Sequence, residues 1–457
     1  MRTQDNPQPP QPGEQPVLRG PSEDSAVYDW VPTRALRRAV GMALVLLIIG
    51  VTIGRLDLVV LGLPFVLGAG WGLARRPRRV PTAELTVDTT ISAEGGTVLG
   101  RVSIDNPDPA PLSGVAVRTP ASPWLRMHTG AGEYMASVPG RSGTDVLIEG
   151  RAMRWGRHRI GPVEVRGYAA DGLLRSRAIR LPATTVKVHP VAQPFEAADA
   201  MPKAAGIAGT HRSRRPGESG ELAGVRPYQP GDRLRRVDWR VSLRNRELYV
   251  NATLSERDAE VVLVLDVLHE AGRSAGPASA SVLDTTVRAA AGIGEHYLHR
   301  GDRVSVLEFG PSARYLRASS GHRQFLTMLE WLLDVRVWPS GVAPTSRLLS
   351  PRLLPPNALI LFLTPLLDER SSTMLAQLAR TGRFVLAVDT LPDNARPVQT
   401  SEWTDLAYRL WRLDRDNTIG RLREVGVPVV AWAGAGSLDE VLRDVTRMAG
   451  APRAVLR

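Results

Sequence analysis

Ten arginines lie between Arg212 and Arg246, interleaved with the carboxylates Glu218, Glu221, Asp232 and Asp238 and with Tyr228, Leu234, Val237, Trp239 and Leu243. Guanidinium groups pair with carboxylates or phosphates in a planar, two-pronged geometry that lysine cannot reproduce. The stretch Gly217 to Asn251 is therefore either a structural clasp or an anion-binding surface. Pro230-Gly231-Asp232 reads as a turn, with proline presetting φ and glycine supplying a conformation other residues resist. Asp232 is placed to cap a short helix running through Arg235, Arg236 and Trp239. Asp232 and Asp238 are the carboxylates nearest in sequence to Arg226, Arg235 and Arg240, so a clasp built from these five with Trp239 packed beneath it is expected. Arg212, Arg214 and Arg215 have fewer local partners and are expected to face a protein partner.

Other chemistry is sparse. There is no cysteine, which excludes disulfides, thiolate catalysis and cysteine metal sites. No phosphate-cradling Walker sequence, no His-Glu-x-x-His and no Gly-x-Ser-x-Gly occurs. His269-Glu270 lacks a second histidine four residues on, and Gly434-Ala-Gly436 lacks a third glycine. With no nucleophile–base constellation, the chain reads as non-enzymatic and without a cofactor. The net charge of +12 comes almost wholly from arginine, Lys187 and Lys203 being the only lysines. That charge suits anionic lipid, nucleic acid or an acidic protein and selects none of them. A membrane protein that binds nucleic acid through the arginine stretch is the alternative reading. It is disfavoured because carboxylates are interspersed and only two aromatics accompany the arginines, with no repeated stacking platform.

The run Arg226-Pro-Tyr228-Gln-Pro230-Gly231-Asp232, then Arg235-Arg236-Val-Asp238-Trp239-Arg240, then Leu248-Tyr-Val250, resembles the signature of the bacterial domain of unknown function 58 family. Asp171-Gly172-Leu173 is similar to a second, upstream passage of that family. The resemblance implies a membrane anchor, a von Willebrand factor A-like domain and a MoxR-type AAA ATPase as partner, in complex assembly or cell-envelope processes. It implies no biochemical activity, since none is established for the family.

The elements that must position these residues divide the chain into five segments. Residues 1–36, rich in Pro, Gln and Gly at the start, are expected to be a disordered tail. Residues 37–76 contain two uncharged runs, Ala39–Gly54 and Leu58–Ala74, each close to the roughly 20 residues that span a bilayer. Arg34, Arg37 and Arg38 precede them and Arg75, Arg76, Arg78 and Arg79 follow. Positive charge on both flanks predicts a transmembrane hairpin in the inner (plasma) membrane, with both ends and the bulk of the chain cytoplasmic. Residues 82–190 alternate apolar and polar side chains between turn residues, the pattern of an immunoglobulin-like antiparallel β-sandwich. Residues 191–258 form a linker and the signature segment.

From 259 to 457 short apolar runs (VVLVLDV, RVSVLEF, ALILFLT, FVLAVD, PVVAWA) alternate with helical spacings, as in a doubly wound α/β domain. Helices are expected over 282–299, 322–335, 373–380, 417–425 and 438–448. Von Willebrand A domains hold Mg²⁺ through Asp-x-Ser-x-Ser after the first strand, a loop threonine and a third-loop aspartate. Here the corresponding residues are Asp266, Leu268 and Glu270, with Thr345 as the loop threonine and Thr364 where the last aspartate would stand. Leu268 offers no ligand, and Mg²⁺ demands near-octahedral oxygen coordination. Asp266, Glu270 and Thr345 thus make at most a degenerate metal site, and no bound metal is expected.

Overall fold

In a computed structural model of the chain the described residues are 30–129, 133–191, 216–228, 237–254, 260–274, 280–338, 350, 352–356, 358–392, 395 and 401–432. The chain divides into two compact units, Met1–Val188 and His189–Arg457.

The first unit opens with a short strand, β1 (Trp30–Pro32), then two apolar helices, α1 (Arg34–Ile53) and α2 (Leu56–Ala74). Gly54 ends α1 with φ 71°, a left-handed turn that glycine adopts without penalty. Residues 30–36 fall within the expected disordered tail, yet they are structured. Here β1 pairs antiparallel with a strand in the same unit, Trp30 opposite Ser176 and Pro32 opposite Leu174.

Twelve strands follow: β2 (Thr82–Val87), β3 (Ile91–Ala93), β4 (Thr97–Asn106), β5 (Leu112–Arg118), β6 (Leu125–Thr129), β7 (Glu133–Val138), β8 (Ser142–Ala152), β9 (Gly156–Ile160), β10 (Val163–Ala169), β11 (Leu174–Ser176), β12 (Ile179–Leu181) and β13 (Thr184–His189). They form antiparallel sheets in the orders β1-β11-β10-β5-β7 (with β12 on β10), β2-β4-β8-β6 and β3-β13-β9. Strict alternation puts every second residue inside. Val98, Val102 and Ile104 of β4, Val115 and Val117 of β5, and Val163 and Val165 of β10 meet in one core with almost no exposed surface.

The second unit begins with β14 (Pro216–Pro227), a short helix α3 (Trp239–Asn245) and β15 (Tyr249–Leu254), β14 and β15 pairing antiparallel. An α/β domain follows: β16 (Glu260–Asp266), α4 (Val282–His299), β17 (Arg303–Phe309), β18 (Tyr315–Ser319), α5 (His322–Leu332), β19 (Leu359–Thr364), α6 (Glu369–Arg380), β20 (Phe384–Asp389), α7 (Thr404–Glu424) and β21 (Val429–Ala431). The sheet order is β18-β17-β16-β19-β20-β21, parallel except for β18. The central parallel strands carry continuous apolar runs, Val261–Leu265 in β16 and Leu359–Leu363 in β19, because both faces are covered. Gly294 of α4 lies against Leu263 on one face. On the other, Val262, Val264, Ile360 and Phe362 cluster with Leu375 and Leu378 of α6 and Leu422 of α7. The helix expected over 417–425 is the end of α7, which starts at Thr404. The helix expected over 438–448 lies outside the described residues.

Candidate functional site

In chain order within the sheet, β16 is first and β19 fourth, and they lie side by side with β17 and β20 outside them. Crossovers leave in opposite directions from this pair, which makes the space beyond the carboxyl ends of β16 and β19 the switch point where doubly wound sheets bind ligands. Asp266 ends β16 and Thr364 ends β19.

Asp266 is buried, and each of its oxygens is used. Oδ2 accepts from Thr364 Oγ1 at 2.7 Å and from Ser371 Oγ at 2.6 Å, and Oδ1 accepts from the Leu268 amide at 3.1 Å. Burial pushes its carboxyl above the ordinary range, the two hydroxyls and the amide partly offsetting that. Beside it, Asp368 caps α6 by accepting from the Arg370 amide at 2.8 Å, and Arg370 NH2 meets Oδ2 at 2.6 Å. His269 Nε2 donates to the same Oδ2 at 2.7 Å. The Arg370 side chain, aided by its amide and by His269, holds the Asp368 carboxyl well below the usual carboxylate range.

These groups do not assemble a nucleophile. The Ser371 hydroxyl points at the buried Asp266 and His269 points at Asp368, so the histidine faces no hydroxyl in the way a Ser-His pair for acyl transfer does. Nor do they fit Mg²⁺. Glu270 accepts from the Leu283 amide at the start of α4 at 3.1 Å, Leu268 is buried and apolar, and Thr345 lies outside the described residues. Among the described residues no three His, Cys, Asp or Glu side chains are grouped to hold a metal. His269, Asp368, Arg370 and Ser371 are the members of this cluster absent from the sequence-derived set. A histidine three residues after a strand-end aspartate, facing an Asp-x-Arg-Ser helix start, is the signal that could have found them.

Within its described residues the signature segment departs from the expected clasp at Asp238 and Trp239. Arg226 pairs across the β14–β15 ribbon with Val250, and the Tyr228 amide donates to Leu248 O at 2.7 Å. Val237 bridges to Val250, and the Asp238 amide donates to Tyr249 O at 2.9 Å. The helix starts at Trp239, so its cap is Asp238, not Asp232. The Asp238 carboxylate accepts from the amides of Arg240 and Val241 at 3.0 and 3.1 Å. Both bonds fall on Oδ1, and among the described residues no ion pair joins Asp238 to Arg240. Buried Ser242 locks the turn, donating to Asp238 O at 2.7 Å and accepting from the Tyr249 amide at 2.8 Å.

Trp239 is not packed beneath arginines. As the first residue of α3 it projects outward, 61% exposed, with Leu243 one turn on at 79%. Arg240 and Arg244 are exposed beside them. Pro230, Gly231, Asp232, Arg235, Arg212, Arg214 and Arg215 lie outside the described residues, as does the Arg226 side chain.

The helical hairpin carries its own geometry. Apart from Leu36 near the start of α1, its buried positions are small, Ala43 and Gly50 on α1 and Gly62, Ala69 and Gly72 on α2, while Val40, Leu44, Leu47, Ile48, Val51, Leu63, Val66, Leu67 and Leu73 are exposed. At its base Thr33 donates through both its amide and its hydroxyl to Leu173 O, at 2.9 and 3.0 Å. Trp30 Nε1 donates to Arg79 O at 3.3 Å and Arg76 to Trp30 O at 3.3 Å. Buried Asp108 accepts from the amides of Arg78 and Arg79 at 2.6 and 2.8 Å. Nothing in the sequence around Asp108 marks it for that part.

Comparison with known proteins adds a family and no activity. Residues 224–389, from the signature ribbon to the end of β20, match the family model described as protein of unknown function DUF58. The uncharacterized protein Rv1480 of Mycobacterium tuberculosis is 33% identical over 135 residues, 29% of this chain and 42% of that protein. The chain thus spans less than half the length of that relative. The uncharacterized protein YeaD of Bacillus subtilis is 26% identical over 252 residues, 51% of this chain and 59% of that protein. Among solved structures, the native conformation of Escherichia coli alpha-2-macroglobulin is matched at a TM-score of 0.20 and 22% identity, over 24% of this chain and 7% of that one. A likeness that slight bears on neither fold nor function. By its signature, its family-model match and its relatives, the chain resembles the DUF58 family over residues 224–389.

Proposed function

We propose that this chain is a bilayer-anchored, non-enzymatic interaction protein, presenting a von Willebrand A-like domain to a MoxR-type AAA ATPase on the cytoplasmic side of the plasma membrane. The observation that carries the anchor is the sorting of side chains in the hairpin. The helices approach each other at Gly50, against Val59, and at Gly62, against Leu46, while most of their large apolar side chains face outward, the reverse of a soluble core and the arrangement of helices packed in lipid. Because β1 precedes α1 and shares a sheet with β11, both ends of the hairpin lie on one side of any bilayer it crosses. The arginines on both flanks favour the cytoplasm for that side.

The von Willebrand A-like reading is supported by the strand order, with only the third strand of the domain antiparallel. The partner class rests on the family resemblance of the signature, and the docking face we assign to it is the outward side of α3. Trp239 and Leu243, one turn apart and flanked by Arg240 and Arg244, have the composition of a binding hot spot. The reading is tested by co-purifying the full chain with a co-expressed MoxR-type ATPase. Trp239→Ala with Leu243→Ala is expected to abolish capture while leaving the melting temperature within a degree or so of the parent. Undiminished capture would remove α3 as the docking face, and no capture by the parent chain would remove the partner.

A further inference from the structure

Helix α7 has two faces that differ in what they touch. On its inner face Tyr408 donates to Ala395 O at 3.1 Å, Arg415 pairs with Asp389 at 2.6 Å, and Leu422 is buried. On the opposite face Trp403, Leu406, Leu410 and Leu413 stand 70, 53, 59 and 61% exposed. Scattered surface leucines need no explanation, but four large apolar residues in one row do. Their spacings of three and four residues are those of the a and d positions of a heptad repeat. Trp403 and Leu410 fall at a, Leu406 and Leu413 at d, and the same register puts Asn417 at a and Gly420 at d.

The residues beside the row say what covers it. Glu402, Arg409 and Asp416 fall at g, and Ala407, Asp414 and Arg421 at e. When two such helices run parallel, a g residue faces the e residue five positions on in the other helix. Arg409 then meets Asp414 of the second copy, and Asp416 meets Arg421 of the second copy, each twice by symmetry. Antiparallel pairing would instead bring Arg409 against Arg409 and Glu402 against Asp416, like charge on like. No ion pair engages Arg409, Asp414 or Asp416 among the described residues, and all three are exposed. Asparagine at a single a position is the residue that selects two parallel strands in register.

We infer that α7 is the seam of a homodimer, in which two copies of this chain pair in parallel and in register through Trp403, Leu406, Leu410 and Leu413. The repeat is short for a free coiled coil. Here, however, each helix is already formed against its own domain, so nucleation adds no cost to the association. The chain beyond β21 does not begin on this side. The Trp432 ring lies 4.0 Å from where a Cβ on Gly292 of α4 would stand, and α4 covers the sheet face opposite α7. The inference depends on neither the membrane nor the partner proposed above.

Because the chain has no cysteine, single cysteines placed in the full-length protein read the seam directly. In a parallel, in-register pair each a or d residue meets its own counterpart. Mild oxidation of Leu413→Cys and of Leu410→Cys is expected to give a disulfide-linked dimer of the chain, while Arg412→Cys, at an outer position, gives none. Arg409→Glu, added to Leu413→Cys, is expected to lower the linked fraction roughly two- to thirtyfold, since two exposed pairs are lost per dimer. Adding Asp414→Arg to that variant should restore it. Absence of the dimer overturns the inference. So does linkage that appears only when Leu406→Cys and Leu410→Cys chains are mixed, which marks an antiparallel pair. Two further results show that another occupant covers the stripe and overturn it as well. One is cross-linking to a different protein. The other is a Leu413→Cys chain whose thiol reacts with neither oxidant nor maleimide.

Discussion

Removing the Asp266 carboxylate strands two hydroxyls and an amide that have no water to turn to. Asp266→Ala is expected to destabilise the second unit by about 2–4 kcal/mol, the cost of several unsatisfied buried groups, read as a fall in denaturant midpoint. The same saturation predicts that Mg²⁺ leaves calorimetry flat; saturable heat abolished by Asp266→Ala would overturn that. Asp368 sets a pH dependence. Its native carboxyl titrates below the ordinary 3.8 because Arg370 and His269 stabilise the charged form. Its contribution is therefore complete above that ordinary value and lost as pH falls below it. The stability difference between the parent and Asp368→Asn should be largest near neutrality and shrink below about pH 4; a constant difference across that range would count against the pairing. In the signature, Asp238→Ala removes a helix cap at about 0.5–2 kcal/mol, whereas Trp239→Ala should cost under about 0.5 kcal/mol. That contrast was not legible in the residue types. Tryptophan beside arginines suggests packing, and only the position of the first helical turn shows that Trp239 points outward.

Between elements, close approach is the controlling feature of the hairpin. A Cβ on Gly50 would stand 2.7 Å from Val59 Cγ2 and 3.1 Å from Arg55 O, while one on Gly41 meets nothing within 4 Å. Gly50→Leu should therefore part α1 from α2 and raise protease sensitivity at the Gly54–Leu56 turn, and Gly41→Leu should not. Asp108→Ala frees the amides of Arg78 and Arg79 and should lower the melting temperature of the first unit, by an amount corresponding to about 1–3 kcal/mol. How far such elements could be read depended on whether their pattern is local. The parallel strands were plain, because burial on both faces leaves runs such as Val261–Leu265 without a polar residue. The two apolar helices were plain because Ala39–Gly54 and Leu58–Ala74 each run without a charged residue. Strand β1 was hidden because its partner lies 140 residues further on, at the distance of the Thr33–Leu173 bond. The first half of α7 was hidden because apolar residues occupy both its faces, which erases single-face periodicity. Edge strand β18, YLRAS, mixes exposed and half-buried positions and offers neither pattern.

For the whole molecule the decisive measurement is sidedness. A periplasmic phosphatase fused after Arg457 should be inactive and a cytoplasmic reporter at the same place active, with the reverse result at the Arg55–Asp57 turn. Activity of the phosphatase after Arg457 would refute the cytoplasmic placement. The way the hairpin joins its β domain has a mechanical consequence. Only Thr33 separates β1 from α1, and the residues between α2 and β2 are pinned to Asp108. In a bilayer the sheets are consequently not a lantern on a slack cord. Their tilt and height above the lipid headgroups are set by two clamped joints, and any torque applied to the sheets is felt by the helices. Inserting a few Gly-Ser residues on both sides of the hairpin would turn that stiff mount into a swivel while leaving every strand intact.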